Sequence, residues 1–96
     1  MKNIYPVIFT QTEDVILIEV PDLEILTQGI DIVGAIEMAR DAIGSKGIVI
    51  EDDGDEIPVP SDINEIDLKN STFSNDGEST ISLVEIDFLE YRKNLK

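Results

Sequence analysis

Carboxylates and hydroxyls carry whatever chemistry this sequence can do. It holds 21 Asp and Glu but no His and no Cys. The commonest neutral-pH proton carrier, the imidazole metal ligand, the thiolate nucleophile and the disulfide are therefore all missing. The densest acidic run is Glu51, Asp52, Asp53, Asp55 and Glu56 around Gly54. A calcium loop of the EF-hand type places its Gly at position six, with ligands at alternating positions before it. With Gly54 at that place, position one is Val49, which has no ligating atom. The run reads as a solvated acidic loop, and no metal is expected. Ser61 and Ser71 have no His to activate them and read as cap or turn residues. The glycines at 29, 34, 44, 47 and 54 form no phosphate cradle. Tyr91, Arg92 and Lys93 could touch a phosphate, but charges at a terminus more often complement a helix end. A two-metal nuclease needs only carboxylates, yet Glu19 and Glu85 are the only acids that fall inside expected strands. No catalytic residue and no cofactor are assigned.

Elements that would position these residues follow from periodicity and turn chemistry. Residues 4–10 alternate Tyr5, Val7 and Phe9 with Ile4, Pro6 and Ile8, then meet polar Gln11, Thr12, Glu13 and Asp14, the pattern of a strand and a turn. Pro6 donates no ladder hydrogen bond, so its nitrogen must face an unpaired side, a strand start or a bulge. Residues 15–20 are apolar and β-branched enough for a strand covered on both faces. Leu26, Thr27 and Gln28 form a shorter strand ended by Gly29. Asp31 is a good N-cap, and Ile32, Ala35, Ile36, Ala39 and Ile43 then share one helical stripe. With Gly44 as the C′ residue, the expected helix runs over 32–43. Gly34 in its first turn costs about 1 kcal/mol relative to Ala and suggests a close approach to the sheet.

Residues 48–68 contain eight carboxylates and no Lys or Arg, and Gly54, Pro58 and Pro60 make this an extended loop with a helical turn after Ser61-Asp62. Residues 70–79 form a second loop. The last strand, 80–87, changes apolar phase between Ile81/Leu83 and Val84/Ile86, which signals a bulge or burial of both faces. A helical turn over 88–96 would close the chain, with Arg92, Lys93 and Lys96 as its basic cluster. The economical topology is an antiparallel meander with the last strand beside the first and parallel to it. The helix then covers one face and leaves the other polar or free for binding.

Length and charge bound the function. At 96 residues the chain is one domain, and 42% hydrophobic residues are enough for a folded core. No apolar signal core opens it, and no uninterrupted apolar run is long enough for a bilayer, so a soluble cytoplasmic protein with no membrane contact is expected. The net charge of −14 repels phosphate backbones and argues against direct nucleic-acid binding. A basic protein is the natural partner, because complementary charge speeds encounter and sets register.

An ordered set of segments resembles a known family. Tyr5-Pro6-Val7-Ile8-Phe9, the acidic turn Glu13-Asp14, Val20-Pro21-Asp22-Leu23, Thr27-Gln28-Gly29 and the run from Ala35 through Glu37, Met38, Arg40 and Asp41 to Gly44 are similar to the amino-terminal domain of HicB-type antitoxins. Ile57-Pro58-Val59-Pro60-Ser61 and Val84-Glu85-Ile86-Asp87-Phe88-Leu89-Glu90-Tyr91-Arg92 resemble its later segments. The resemblance implies an α+β, degenerate ribonuclease H-like β-β-β-α-β sheet with one main helix packed on one face, lacking the nuclease carboxylates. It implies an antitoxin of a type II toxin-antitoxin system, partnered by a small basic HicA-type mRNA-cleaving toxin of double-stranded-RNA-binding fold. The sequence departs at Glu24-Ile25-Leu26, where the family commonly has Pro-Gly-Cys, and at Val15-Ile16, where an aromatic often stands. It also ends at Lys96, where the family usually continues into a DNA-binding module, so 1–96 is expected to be a single HicB-like domain without operator binding.

The leading expectation is toxin neutralisation by masking, with Glu51, Asp52, Asp53, Asp55, Glu56, Glu37 and Asp41 as candidate toxin-binding residues. The alternative is a stand-alone acidic protein-interaction module of the same fold with a different partner. The sequence leaves homo-oligomer formation open.

Overall fold

The computed structural model describes residues 2–94. Four strands form one sheet in the order β3-β2-β1-β4, with β1 (Lys2–Gln11), β2 (Ile16–Val20), β3 (Ile25–Gly29) and β4 (Glu78–Asp87). All three neighbouring pairs are antiparallel. The central strand contains Pro6, and its position shows how a proline is tolerated there. The β1–β2 ladder spans only Ile8 to Gln11, because β2 ends at Val20 and turns off through a 3₁₀ turn at Pro21–Leu23. Pro6 thus lies where β1 has β4 alone as a partner, opposite Leu83, and its missing N–H interrupts no β1–β2 pairing. That turn ends at Glu24, a non-glycine residue with φ of 54° whose N–H closes onto the Pro21 carbonyl. It fixes the chain reversal into β3 at the place where the family pattern fails.

Alternation decides the two faces. Tyr5, Val7 and Phe9, Ile16, Ile18 and Val20, and Val84 and Ile86 form one buried cluster with Ala35, Ala39 and Ile43 of the main helix. That helix, α1, spans Ile32–Asp52 and begins at Asp31, whose side chain accepts a hydrogen bond from the Gly34 N–H at 2.7 Å. It does not stop at Gly44. Gly44 and Gly47 instead form a flat notch for a second helix, α2 (Phe88–Lys93), and both are buried. A Cβ on Gly44 would lie 2.6 Å from ring atoms of Tyr91, and one on Gly47 would overlap the Phe88 ring. One expected core position and one expected contact differ. Ile32 is 53% exposed. Gly34 meets only its own N-cap, whereas the close approach to the sheet is made by Gly29 against the Ala35 backbone.

The direction of β4 corrects the sequence reading, which made it parallel to β1. Its register runs from Gln11↔Glu78 to Lys2↔Asp87, so it is antiparallel and, without a break in the pairing, bulge-free. The cause is the return segment between α1 and β4, since a helix that crossed the sheet and led straight into β4 would give the parallel crossover. β3 ends beside the end of β1, and 21 helical residues at about 1.5 Å each carry the chain the full length of the sheet to the opposite end. The segment 53–77 then returns across the face that α1 leaves open, and β4 starts from the far end. The return path is held by named bonds. Asp22 accepts from the Ser61 N–H and hydroxyl at 2.8 and 2.5 Å, and Glu19 accepts from the Thr72 N–H and hydroxyl at 3.0 Å each. A capping box joins Asp62 and Glu65 along the way. Pro6, Ile8 and Thr10, which point away from α1, are buried by this cover, and Thr10 shares a 2.7 Å hydrogen bond with Ser79. The apolar phase change in β4 follows: Val84 and Ile86 face α1, and Ile81 and Leu83 face the other side.

Candidate functional site

The seven acids singled out from sequence fall into two groups that the fold separates. Glu51 and Asp52 are helical, in the last turn of α1, and Asp53 is its C-cap, so the expected acidic loop begins as helix. Arg92 of α2 donates to Glu51 Oε1 at 3.3 Å and to Asp52 Oδ1 at 3.1 Å. Those two hydrogen bonds favour the charged guanidinium and raise the Arg92 pKa above its ordinary value. Arg92 thus occupies the anionic end of α1 much as a basic partner would, and Lys93 pairs with Glu90 at 3.6 Å. Lys96, the third member of the expected basic cluster, lies outside the described residues. Asp53, Asp55 and Glu56 make no ion pair among the described residues. The groove beside them, about 530 Å³, is lined by Ile57, Val59, Pro60, Phe88 and Leu89 with Glu51, Asp55, Glu56 and Arg92 at its edge.

Glu37 and Asp41 sit elsewhere, on the outer stripe of the first half of α1. With Gly29, Ile30, Asp31 and Met38 they line a shallow depression of about 720 Å³ at the shoulder where β3 passes into the helix. Glu37 is unpaired among the described residues. Asp41 accepts from the Tyr91 hydroxyl at 2.6 Å, and that hydroxyl also shares a 3.0 Å hydrogen bond with Ser45. Partial burial and the Asp41 carboxylate both favour neutral Tyr91 and push its pKa up. Tyr5 is raised as well, chiefly by burial; its hydroxyl donates to the Pro58 carbonyl at 2.7 Å and pins the start of the return segment. At the β4–α2 junction Asp87 accepts from the N–H groups of Leu89 and Glu90, and these bonds hold its carboxyl below the usual range.

The exposed apolar residues of this shoulder are what sequence reading missed. Ile30 is 85% exposed and Val33 64%, and Met38 is 44% exposed within the depression. The signal was present as three β-branched residues, Ile30, Ile32 and Val33, within four positions of a turn and cap. Of these, Ile32 falls on the stripe assigned to the core, whereas Ile30 in the turn and Val33 off that stripe were given no role.

Glu19 and Glu85, the acids weighed for metal chemistry, do not converge. Both point to the face away from α1, but β1 lies between their strands, Glu19 opposite Ile8 and Glu85 opposite Ile4. Two strand spacings and a four-residue offset separate them by roughly 16 Å, against metal separations of about 4 Å in two-metal sites. Glu19 is engaged by Thr72, and Glu85 lies 3.7 Å from Lys2. Among the described residues no group of three or more His, Cys, Asp or Glu side chains is placed to hold a metal ion. Among the described residues no helix is long and apolar enough to cross a membrane.

No family model matches the sequence, and no curated protein matches it. A chain in a solved structure described as a toxin-antitoxin complex from Streptococcus pneumoniae is similar in fold, with a TM-score of 0.80 and 27% identity. The alignment covers 100% of this chain and 78% of that one.

Proposed function

We propose that this chain is the antitoxin of a type II toxin-antitoxin pair, of HicB type, and that it neutralises a small basic HicA-type mRNA-cleaving toxin by covering its active or RNA-binding face. The observation that carries the reading is the likeness, along the whole length of this chain, to a chain of a toxin-antitoxin complex. The charge supports it independently. A fold with a radius of gyration of 13.2 Å bearing −14 attracts a cationic protein and repels the RNA which that protein would cleave. Inhibition by cover needs no catalytic group, in keeping with the dispersed carboxylates. The unit that does this is the 1–96 domain itself, acting in the cytoplasm.

The test is direct. A HicA-type toxin encoded beside this chain, with its active site inactivated, forms a complex measurable by calorimetry, and the active toxin stops cleaving RNA when the chain is added. No heat of binding and undiminished cleavage at micromolar chain would refute neutralisation.

A further inference from the structure

Resting on that reading, we propose that the basic partner docks on the shoulder formed by Ile30 and the first half of α1, with Ile30 and Met38 as its apolar centre and Asp31, Glu37 and Asp41 as its anionic rim. The strongly acidic 51–56 segment is not the docking surface.

The shoulder brings apolar and acidic residues together in one depression, as stable protein interfaces do and as the groove beside 51–56 also does. Ile30 is 85% exposed and Met38 44%, and exposed apolar side chains brought together mark interaction surfaces. What sets the shoulder apart is that no Lys or Arg of this chain lines it among the described residues. The nearest cation along α1, Arg40, is turned to the opposite flank, where its Nε–H donates to the Glu85 carbonyl at 3.0 Å. The groove by 51–56 differs on this point, because Arg92 already binds both Glu51 and Asp52 there. A partner's cation would have to displace it.

The helix dipole does not oppose a cation at the shoulder. Asp31 caps the α1 N-terminus, and Glu37 lies beyond the first turn, where the positive end of the dipole has faded. Charge also selects the occupant. A second copy would bring another −14 against the same acidic rim, whereas a basic protein gains attraction and apolar burial together.

The experiment uses the full chain against the inactivated basic toxin encoded beside it, with three variants at positions exposed enough to leave folding unchanged, checked by circular dichroism. Ile30→Ser should weaken binding about 30-fold, the scale of an interface anchor. Glu37→Lys should slow association about tenfold at low salt, with the difference shrinking as salt rises. Glu56→Lys should change affinity by less than about threefold, the scale of a rim charge. Failure of the unaltered chain to bind refutes neutralisation and this proposal together. Binding that tolerates Ile30→Ser and Glu37→Lys but is lost with Glu56→Lys overturns the docking surface alone. Sedimentation showing a homodimer of the chain that Ile30→Ser dissolves also overturns it, by assigning the shoulder to a second copy.

Discussion

Gly47→Ala separates two accounts of the glycines in α1 by the sign of its effect. On helix propensity alone, Ala replacing Gly inside a helix stabilises by about 1 kcal/mol. The structure predicts the reverse. The new methyl would overlap Phe88 Cε1 and lie 2.8 Å from Cδ1 and 3.0 Å from Cζ. The ring cannot swing clear without loss, since Phe88 is buried and its edge packs on Tyr5, with ring centroids 6.5 Å apart at 74°. Forcing an extra carbon into a packed site costs about 1–3 kcal/mol, and a rigid pinned ring belongs at the upper end. The net expectation is a loss of about 2 kcal/mol, the difference between about 3 from overpacking and about 1 from propensity. In urea, with a slope of about 1–2 kcal/mol per molar, the unfolding midpoint should fall by about 1–2 M. Gly44→Ala is the internal comparison. Tyr91 is only half-buried and can yield, so that variant should change stability by less than about 1 kcal/mol while breaking the Tyr91–Asp41 bond. Adding Phe88→Leu to Gly47→Ala should cost less than the two single losses summed, by about 1 kcal/mol of coupling. A higher midpoint for Gly47→Ala, or strict additivity with Phe88→Leu, would refute the notch.

Three further outcomes follow from the same geometry. The chain has two tyrosines, both raised above their ordinary value. An acid whose folded pKa is raised keeps its contribution to stability below the unfolded value near 10 and loses it as pH climbs through the folded one. Ultraviolet titration should therefore show less than half of the tyrosine ionised at pH 10, with deprotonation and unfolding coupled above it, and half-titration at or below pH 10 contradicts this. Asp22→Ala removes both acceptors of Ser61 and should cost about 1.5–3 kcal/mol in thermal or urea unfolding, with amide exchange rising across the return segment. Asp31→Ala removes the α1 N-cap and should cost about 1 kcal/mol, whereas Asp31→Asn should cost much less, as calorimetric melting would show.

Much of the fold was legible because local physics and the final packing agree. The alternation in β1, the β-branched run of β2, the Asp31 cap, the capping turn at Asp62 and the placement of Pro6 each follow from backbone sterics and residue pattern, and the structure has them. The absence of imidazole and thiol was likewise legible, and it closes the chemistry that needs those groups. Site residues were legible only as residue types. Glu51 and Glu37 look alike in sequence, and nothing local says that one meets an arginine and the other water.

The sequence by itself determined which segments are strands, where the helix begins and what chemistry is closed to the chain, since these depend on residues a few positions apart. Tertiary structure decided where α1 ends, which way β4 runs and which acids stay unpaired. The reason is the same for all three. The fate of Gly44 and Gly47 depends on two rings more than forty positions away, and their fit against α1 outweighs the intrinsic cost of glycine in a helix. The segment 53–77, held across the open face by Asp22 and Glu19, brings the chain back before β4 pairs, and the antiparallel direction follows. Arg92 then arrives at the end of α1 and satisfies the acids there, leaving those at its beginning exposed.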